Sequence, residues 1–262
     1  MITRSLLRWQ QPEKASYLVK LLLLCLVFFS WSLPVYAVTQ SSISSRLEGQ
    51  VLQIIHDHPE AIMESIQAYQ QQQKEQQQQK QQAFLQEMKA NPQAIIGQSP
   101  TTGAAKQKIV LLEFSDFQCP YCAKAHQSLK QFVDSHQREV TLVYKHFPLT
   151  GIHSEALPAA KAAWAALQQG KFWQYHDALF AQQDRLSETL YVATAKKLNL
   201  DLEQFNRDRN SDAALTAIGQ DMAIAQKAGV QGTPFLAMNG EPFFGAVSLS
   251  EMEKALARVS TN

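Results

Sequence analysis

At 262 residues the chain is long enough for one sizeable domain plus an appendage. Its 24 basic and 23 acidic side chains nearly cancel, leaving a net charge of +1, too small an excess to argue for nucleic acid or an anionic membrane surface.

Lys14 and Lys20 lead into the apolar run 21–33, which is followed by Pro34-Val35-Tyr36-Ala37. A positive n-region, a short h-region and a small-residue site form the pattern of a secretory signal, with cleavage expected after Ala37. The run of 13 residues is short of the ~20 that a membrane span needs. The alternative is an uncleaved N-terminal anchor, since the n-region is long. Either way the expected location is the periplasm or cell envelope. Cleavage removes Cys25, together with Arg4, Arg8, Lys14, Lys20 and Glu13, and leaves 20 basic against 22 acidic side chains. An exported chain normally uses its cysteines for structural disulfides. This one would keep a single vicinal pair, Cys119 and Cys122, which marks that pair as the reactive feature.

Residues 38–90 read as a helical, Gln-rich arm. Leu47, Val51, Ile54, Ile55, Ile62, Ile66 and Tyr69 recur at three- and four-residue steps, with a break expected at His58-Pro59. Residues 70–82 are almost all Gln and Lys; Gln is a good helix former, so the helix is expected to continue to Phe84, Leu85 and Met88. The apolar stripe needs a partner. Self-association through residues 44–88 is the economical answer; packing on the chain's own catalytic domain and a spacer role are the alternatives. Residues 91–107, with Pro, Gly, Ser and Thr, read as a linker or an irregular entry to the domain at 91–262, and that domain is expected to fold without the arm.

The stretch 108–122 begins as an apolar run that predicts a buried strand and ends in Cys119-Pro120-Tyr121-Cys122, after which 123–133 take helical spacing. Free backbone N–H groups and the helix dipole at a helix start stabilise a thiolate, the reactive form, so Cys119 is expected to titrate below the free thiol. Two intervening residues place the second sulfur within reach to close a disulfide or resolve a mixed one. Pro120 has no N–H to leave unpaired, which suits the first helical turn. Half of a zinc site is the competing reading. It lacks a second CxxC or an HxxxH pair, and the histidines are scattered at 56, 58, 126, 136, 146, 153 and 176. His126, one turn after Cys122, is expected to be solvated or packed rather than catalytic.

A second strand is predicted over 140–146, then helices over 155–169, 172–181, 187–198, 202–209 and 213–228. Strand character returns at 233–238; Asn239-Gly240 is a hairpin turn, 241–246 the return strand, and Ser248 or Ser250 caps a last helix over 249–259. The order β-α-β, five helices, β-β-α predicts an α/β thioredoxin-like fold with an all-helical subdomain inserted at about 151–228.

Three motifs in order carry a family resemblance: Glu113-Phe114-Ser115-Asp116-Phe117-Gln118-Cys119-Pro120-Tyr121-Cys122, Lys145-His146-Phe147-Pro148-Leu149, and Gly229-Val230-Gln231-Gly232-Thr233-Pro234. From about Gln93 to Asn262 the chain resembles exported DsbA-family thiol–disulfide oxidoreductases. The N-terminal stretch is similar to the oligomerisation arm of the ScsC-like branch. The resemblance implies that Cys119 is the solvent-facing nucleophile and Cys122 the buried resolving thiol. It implies that Thr233-Pro234 forms a cis-proline loop against the disulfide, leaving a backbone edge for an extended substrate. Glu113 would be a buried acid exchanging a proton with Cys122, the alternative being a strand-end surface carboxylate. No cofactor beyond the Cys119–Cys122 pair, and no metal, is implied. Tyr121 departs from the strongly oxidising type, which carries His there, so the extreme thiol acidity of that type does not transfer. Cys-Pro-Tyr-Cys also occurs in glutaredoxins, but those lack a signal sequence and a helical block.

The implied substrates are exported polypeptides with thiols or disulfides. The implied recharging partner is a membrane redox protein, DsbB-like, DsbD-like or quinone-linked. Oxidase and isomerase/reductase use the same sulfurs, and the sequence leaves both open. A non-enzymatic alternative is a chaperone-like clamp or a carrier of thiophilic metal such as Cu(I) on the cysteine pair.

Overall fold

A computed structural model describes residues 44–106, 108–243 and 247–261. The expected signal segment, with its cleavage site, lies outside the described residues. Among the described residues no helix is long and apolar enough to cross a membrane. The chain divides into two compact units, residues 1–64 and 65–262.

In the first unit, α1 (Ser45–Asp57) starts where the Ser44 hydroxyl accepts from the N–H of Leu47, and it contains no buried residue. Pro59 opens α2 (Pro59–Ala90), so the helix breaks at the expected place. Leu47, Val51, Ile54, Ile55 and Ile62 are all exposed, as are Ile66 and Tyr69 at the start of the second unit.

The second unit is built on a five-stranded sheet ordered β1-β3-β2-β4-β5. Its strands are β1 (Thr101–Gly103), β2 (Ile109–Ser115), β3 (Val140–His146), β4 (Phe235–Met238) and β5 (Glu241–Phe243). β2 and β3 are parallel, in register Glu113 opposite Tyr144, and are joined through α4 (Pro120–Ser135). β4 runs antiparallel to β2, with Leu236 opposite Glu113. Strand alternation sorts β2 into two faces. Val110, Leu112 and Phe114 pack with Phe84 and Met88 of α2, Ile95 and Ile96 of α3 (Pro92–Ile96), and Ala225 of α9 (Asp212–Lys227). Leu111 packs oppositely with Leu129 and Phe132 of α4 and Met252 of α10 (Leu249–Ser260). Glu113 shares parity with Leu111, which places its carboxyl on the α4 side.

Between β3 and β4 stand α5 (Ala156–Gln168), α6 (Phe172–Phe180), α7 (Glu188–Lys197), α8 (Leu202–Arg209) and α9. Ala162, Ala163, Ala165 and Ala166 of α5 are buried against Tyr175, Tyr191 and Phe205, small residues letting the helices approach closely. Ser187, Asp201 and Ser211 each cap the helix that follows. The thioredoxin-like fold with a helical insertion is therefore the fold observed.

Of the two readings of residues 91–107, the entry to the domain is the one observed: α3 buries Ile95 and Ile96, and β1 adds an edge strand against β3, with the Ala104 N–H bonded to the Val140 carbonyl at 2.8 Å. A three-residue strand is too short for its alternation to show in sequence. The expectation that the domain folds without the arm needs correction: the part after Gln93 does not contain all of its own core, because Phe84 and Met88 are buried against Phe114 and its neighbours. For that part of the arm, packing on the chain's own domain is the outcome. The return strand is described only as 241–243; residues 244–246 lie outside the described residues.

Candidate active site

β2 delivers the chain to a turn that Asp116 fastens from inside. One carboxylate oxygen accepts from the Gln118 N–H at 2.8 Å; the other accepts from the Leu149 N–H at 3.0 Å and pairs with His153 Nδ1 at 2.7 Å. Gln183, on the short 3-10 turn after α6, donates to the carbonyls of Phe117 at 2.7 Å and Cys119 at 2.8 Å. Cys119 then caps α4 in an extended conformation, with Pro120 in the first turn and the Cys122 N–H bonded to the Cys119 carbonyl at 3.0 Å.

Both sulfurs are thiols. Cys122 is wholly buried and Cys119 is only 4% exposed, so the nucleophile expected at solvent is largely covered, while Tyr121 beside it is 69% exposed. Cys119 belongs to the core cluster with Phe117 and Phe180, and the loop at Thr233-Pro234, whose peptide bond is cis, lies against it. Cys119 Sγ donates to the Thr233 carbonyl at 3.3 Å. Beside the pair opens a groove of about 600 Å³ lined by Tyr121, Lys124, Ala125, Ser128, Thr233 and Pro234 among others. The structure thus brings Cys119, Pro120, Tyr121, Cys122, Thr233 and Pro234 together at one helix start.

The two sulfurs are driven apart electrostatically. The Cys122 thiol, hydrogen-bonding to Cys119 as a thiolate, is the main influence bringing Cys119 down to about 5; burial opposes it, and the Thr233 hydroxyl and the N–H groups of Cys122 and Tyr121 add to it. Helix-start N–H groups therefore contribute, but the neighbouring thiol leads. Cys122 is pushed up by burial, then by the Cys119 thiolate and the charge of Glu113.

Glu113 is 1% exposed, a buried acid rather than a surface carboxylate. Burial raises it to about 7, the nearby Ser115 hydroxyl pulling it partly back. Around it stand Tyr144, held protonated by burial and then by the charge of Glu113, and the ring of His176, 5.0 Å from that of Tyr144. His146 and His176 are both lowered to about 4, burial leading in each, so they are neutral at pH 7.

His126 is packed, as expected, stacking on Phe180 at 5.0 Å with Nε2 3.6 Å from Asp177 Oδ1. Among the described residues, His126, His176 and Asp177 form a group whose ligand atoms lie within 4.8 Å of one another. The Lys130 ammonium, 3.1 Å from the other oxygen of Asp177, competes with any cation there.

Asp116, His153 and Gln183 were not singled out from sequence. Asp116 lies inside a quoted motif, yet its partner His153 is 37 positions away, and Gln183 is 64 from Cys119. No local periodicity announces such pairings.

The thioredoxin family model matches residues 95–258. Over 154 residues the chain is 34% identical to a Na(+)/H(+) antiporter NhaA 3 from Salinispora tropica, a match covering 59% of this chain and 24% of that protein. The chain thus spans about a quarter of the length of the curated relatives it matches. A thioredoxin-like oxidoreductase from Silicibacter pomeroyi superposes with a TM-score of 0.59 at 33% identity, covering 63% of this chain and 94% of that one. Proteus mirabilis ScsC in a transitional conformation gives 0.59 at 22% identity, covering 83% and 97%, a likeness of fold. The family match runs from within α3 into α10 and so takes in every strand of the sheet: this chain belongs to the thioredoxin family.

Proposed function

We propose that the protein exchanges thiols and disulfides with exported polypeptides through Cys119 and Cys122. The observation that carries this reading is the opposite displacement of two adjacent sulfurs, Cys119 towards the thiolate and Cys122 towards the thiol, at the edge of an open groove. A thiol titrating near 5 is almost wholly thiolate at pH 7 and is also a good leaving group.

In the oxidising direction a substrate thiolate attacks Cys119 Sγ of the Cys119–Cys122 disulfide. The Cys122 sulfur leaves and takes a proton, with Glu113 the nearby acid. A second substrate thiolate then attacks the substrate sulfur of the mixed disulfide and expels Cys119 as thiolate. The substrate pair is oxidised and the Cys119–Cys122 pair reduced. Isomerisation begins instead with the Cys119 thiolate attacking a substrate disulfide. Thr233 and Pro234 line the groove, and the backbone there offers an edge for an extended chain. Recharging is assigned to a membrane redox partner, DsbB-like, DsbD-like or quinone-linked. The exposed stripe of α1 and the start of α2 is assigned to a second copy of this chain, because an apolar face of that extent is unstable in water.

Exchange assays on a reduced and on a scrambled multi-disulfide substrate test the reading. Turnover of either supports it, and which one is favoured separates oxidase from isomerase. Turnover of neither, with both sulfurs free, would replace it with a binding role. The redox state of the pair in cells, trapped by alkylation, reports the direction of recharging.

A further inference from the structure

The groove beside the cysteine pair carries a charge that the exchange chemistry leaves unused. Of its lining residues only Lys124 is charged. Residues 244–246, outside the described residues, are Phe, Gly and Ala and add no charge to the chain. Lys124 is exposed and makes no ion pair among the described residues. Its own helix offers it no acid, since the positions three and four away are Pro120, Tyr121, Gln127 and Ser128. Glu251, which follows the lining residue Ser248, is engaged in the α10 cap: it accepts from the Ser248 N–H at 3.1 Å and hydroxyl at 3.0 Å. Ser128, one turn after Lys124, also lines the groove, and its hydroxyl has no partner among the described residues. One face of α4 thus presents an unpaired ammonium and an unpaired hydroxyl to the space where a substrate would lie.

We infer that Lys124 selects substrates carrying an acidic side chain two positions from the reacting cysteine, with Ser128 as a second donor to that carboxylate. This selection rests on the thiol-exchange reading and adds a substrate class to it. It precedes the exchange and alters none of its bonds: a substrate thiolate still attacks Cys119 Sγ, and the Cys122 sulfur still leaves with the electron pair.

The spacing of two follows from the helix. Lining residues from Tyr121 to Ser128 carry the groove ~10 Å along α4, room for about three residues of an extended chain. Lys124 stands five residues after the cap Cys119, a rise of ~7.5 Å at ~1.5 Å per residue. A chain extended against Thr233-Pro234 advances ~3.3 Å per residue and turns alternate side chains to one face. The side chain two positions from the substrate cysteine therefore lies ~6.6 Å along, on the same face as the cysteine. Side chains one or three positions away point to the other face. Helical side chains lean back towards the N-terminus, here towards Cys119, and the flexible lysine stem takes up the remaining ~1 Å. Whether the acid follows or precedes the cysteine is set by the direction of the substrate strand. Tyr121, 69% exposed, walls the groove between the two sites.

The test uses the full chain with its Cys119–Cys122 disulfide formed, and short single-cysteine peptides with Glu, Gln or Lys two positions after or two before the cysteine. One peptide thiolate attacks Cys119, a second releases the first as peptide disulfide, and the protein pair is left reduced. Initial rates at limiting peptide are read by chromatography, each relative to the Gln peptide with the same protein. In one of the two placements Glu should react about threefold faster than Gln and Lys about threefold slower, the size of one exposed charge contact. Lys124→Arg should keep that order, Lys124→Glu should invert it, and about 0.5 M salt should bring the parent's rates together. A charge beside a peptide thiol also alters that thiol's own acidity. This effect cancels when the Glu-to-Lys rate ratio of the parent is divided by that of Lys124→Glu, and the quotient should be at least about tenfold. A quotient within about twofold in both placements, or one that salt leaves unchanged, overturns the selection while the exchange reading stands. A parent protein that oxidises none of the peptides overturns both.

Discussion

Gln183 and Cys119, 64 positions apart, are joined by a 2.8 Å hydrogen bond from side-chain amide to backbone carbonyl. The same amide reaches the Phe117 carbonyl at 2.7 Å, so one side chain of the helical insertion holds both ends of the turn before α4. Gln183→Ala leaves two largely enclosed carbonyls without this donor, at a cost of about 1–3 kcal/mol. Urea unfolding should show a lower midpoint with unchanged slope. An unchanged midpoint would mean that water replaces the amide freely and that the insertion does not hold the turn.

Cys119→Ser should abolish exchange, because Cys122 is enclosed and held as thiol. Cys122→Ser should retain attack and accumulate mixed disulfides, since nothing remains to release them. Non-reducing gels after incubation with a reduced substrate and an oxidant check this. Equal trapping by both variants would reverse or remove the assignment of roles.

The acidity of Cys119 has a named main cause, and that makes it separable. Thiolate absorbance in the parent should titrate with a midpoint near 5. Cys122→Ala removes the leading hydrogen bond and leaves the helix-start N–H groups, so the midpoint should rise towards the free thiol value of ~8.5 without reaching it. A midpoint unmoved by that substitution would return the whole effect to the helix start.

Much of this was legible in sequence. The strand ending in CxxC, the hairpin at Asn239-Gly240 and the helix breaks each rest on local chemistry: a continuous apolar run, positive φ at Asn239 and Gly240, and Pro59 after His58. The loop at Thr233-Pro234 was legible only through the family resemblance, because its contact with Cys119 is to a carbonyl 114 positions away. Strand parity groups Glu113 with Leu111, but that α4 covers that face is known only from the packing of Leu111. The arm misled for a similar reason. Phe84 and Met88 continue the apolar pattern of the exposed stripe, and only the close approach of α2 to the sheet shows that they belong to the core. That approach is tight: a Cβ at Gly240 would lie 2.6 Å from the Leu85 carbonyl oxygen.

Glu113 should make the fold more stable in acid than in base over one window. Its native value, about 7, lies above the unfolded value of 4.5. The unfolded chain therefore loses this proton first as pH rises. Stability contributed by the protonated carboxyl is full below 4.5, falls between 4.5 and 7 and is lost above, by about 3 kcal/mol in all. Glu113→Gln abolishes this fall, so the parent-minus-variant difference should decline across that window. A flat difference between pH 4 and 8 would mean that the carboxylate is solvated in the fold.

The arm gives two cuts with different outcomes. Residues 44–64 contribute no buried side chain, so a chain starting at Ser65 should fold with its CxxC intact. It loses Leu47, Val51, Ile54, Ile55 and Ile62 from the exposed stripe, and with them the surface assigned to a second copy. Light scattering should therefore give an oligomer for the chain after Ala37 and a monomer for the cut at Ser65. A monomer in both at micromolar concentration would remove the self-association proposal. A cut at Asn91 goes further and takes Phe84 and Met88 out of the core, exposing Val110, Leu112 and Phe114 on that sheet face. Each large side chain lost from a core costs about 2–5 kcal/mol, enough together to bring an ordinary domain near its limit of 5–15 kcal/mol. The shorter cut should unfold cooperatively near the parent midpoint, and the longer one at much lower denaturant or not at all. A cut at Asn91 as stable as the cut at Ser65 would show that the end of α2 is dispensable to the redox domain.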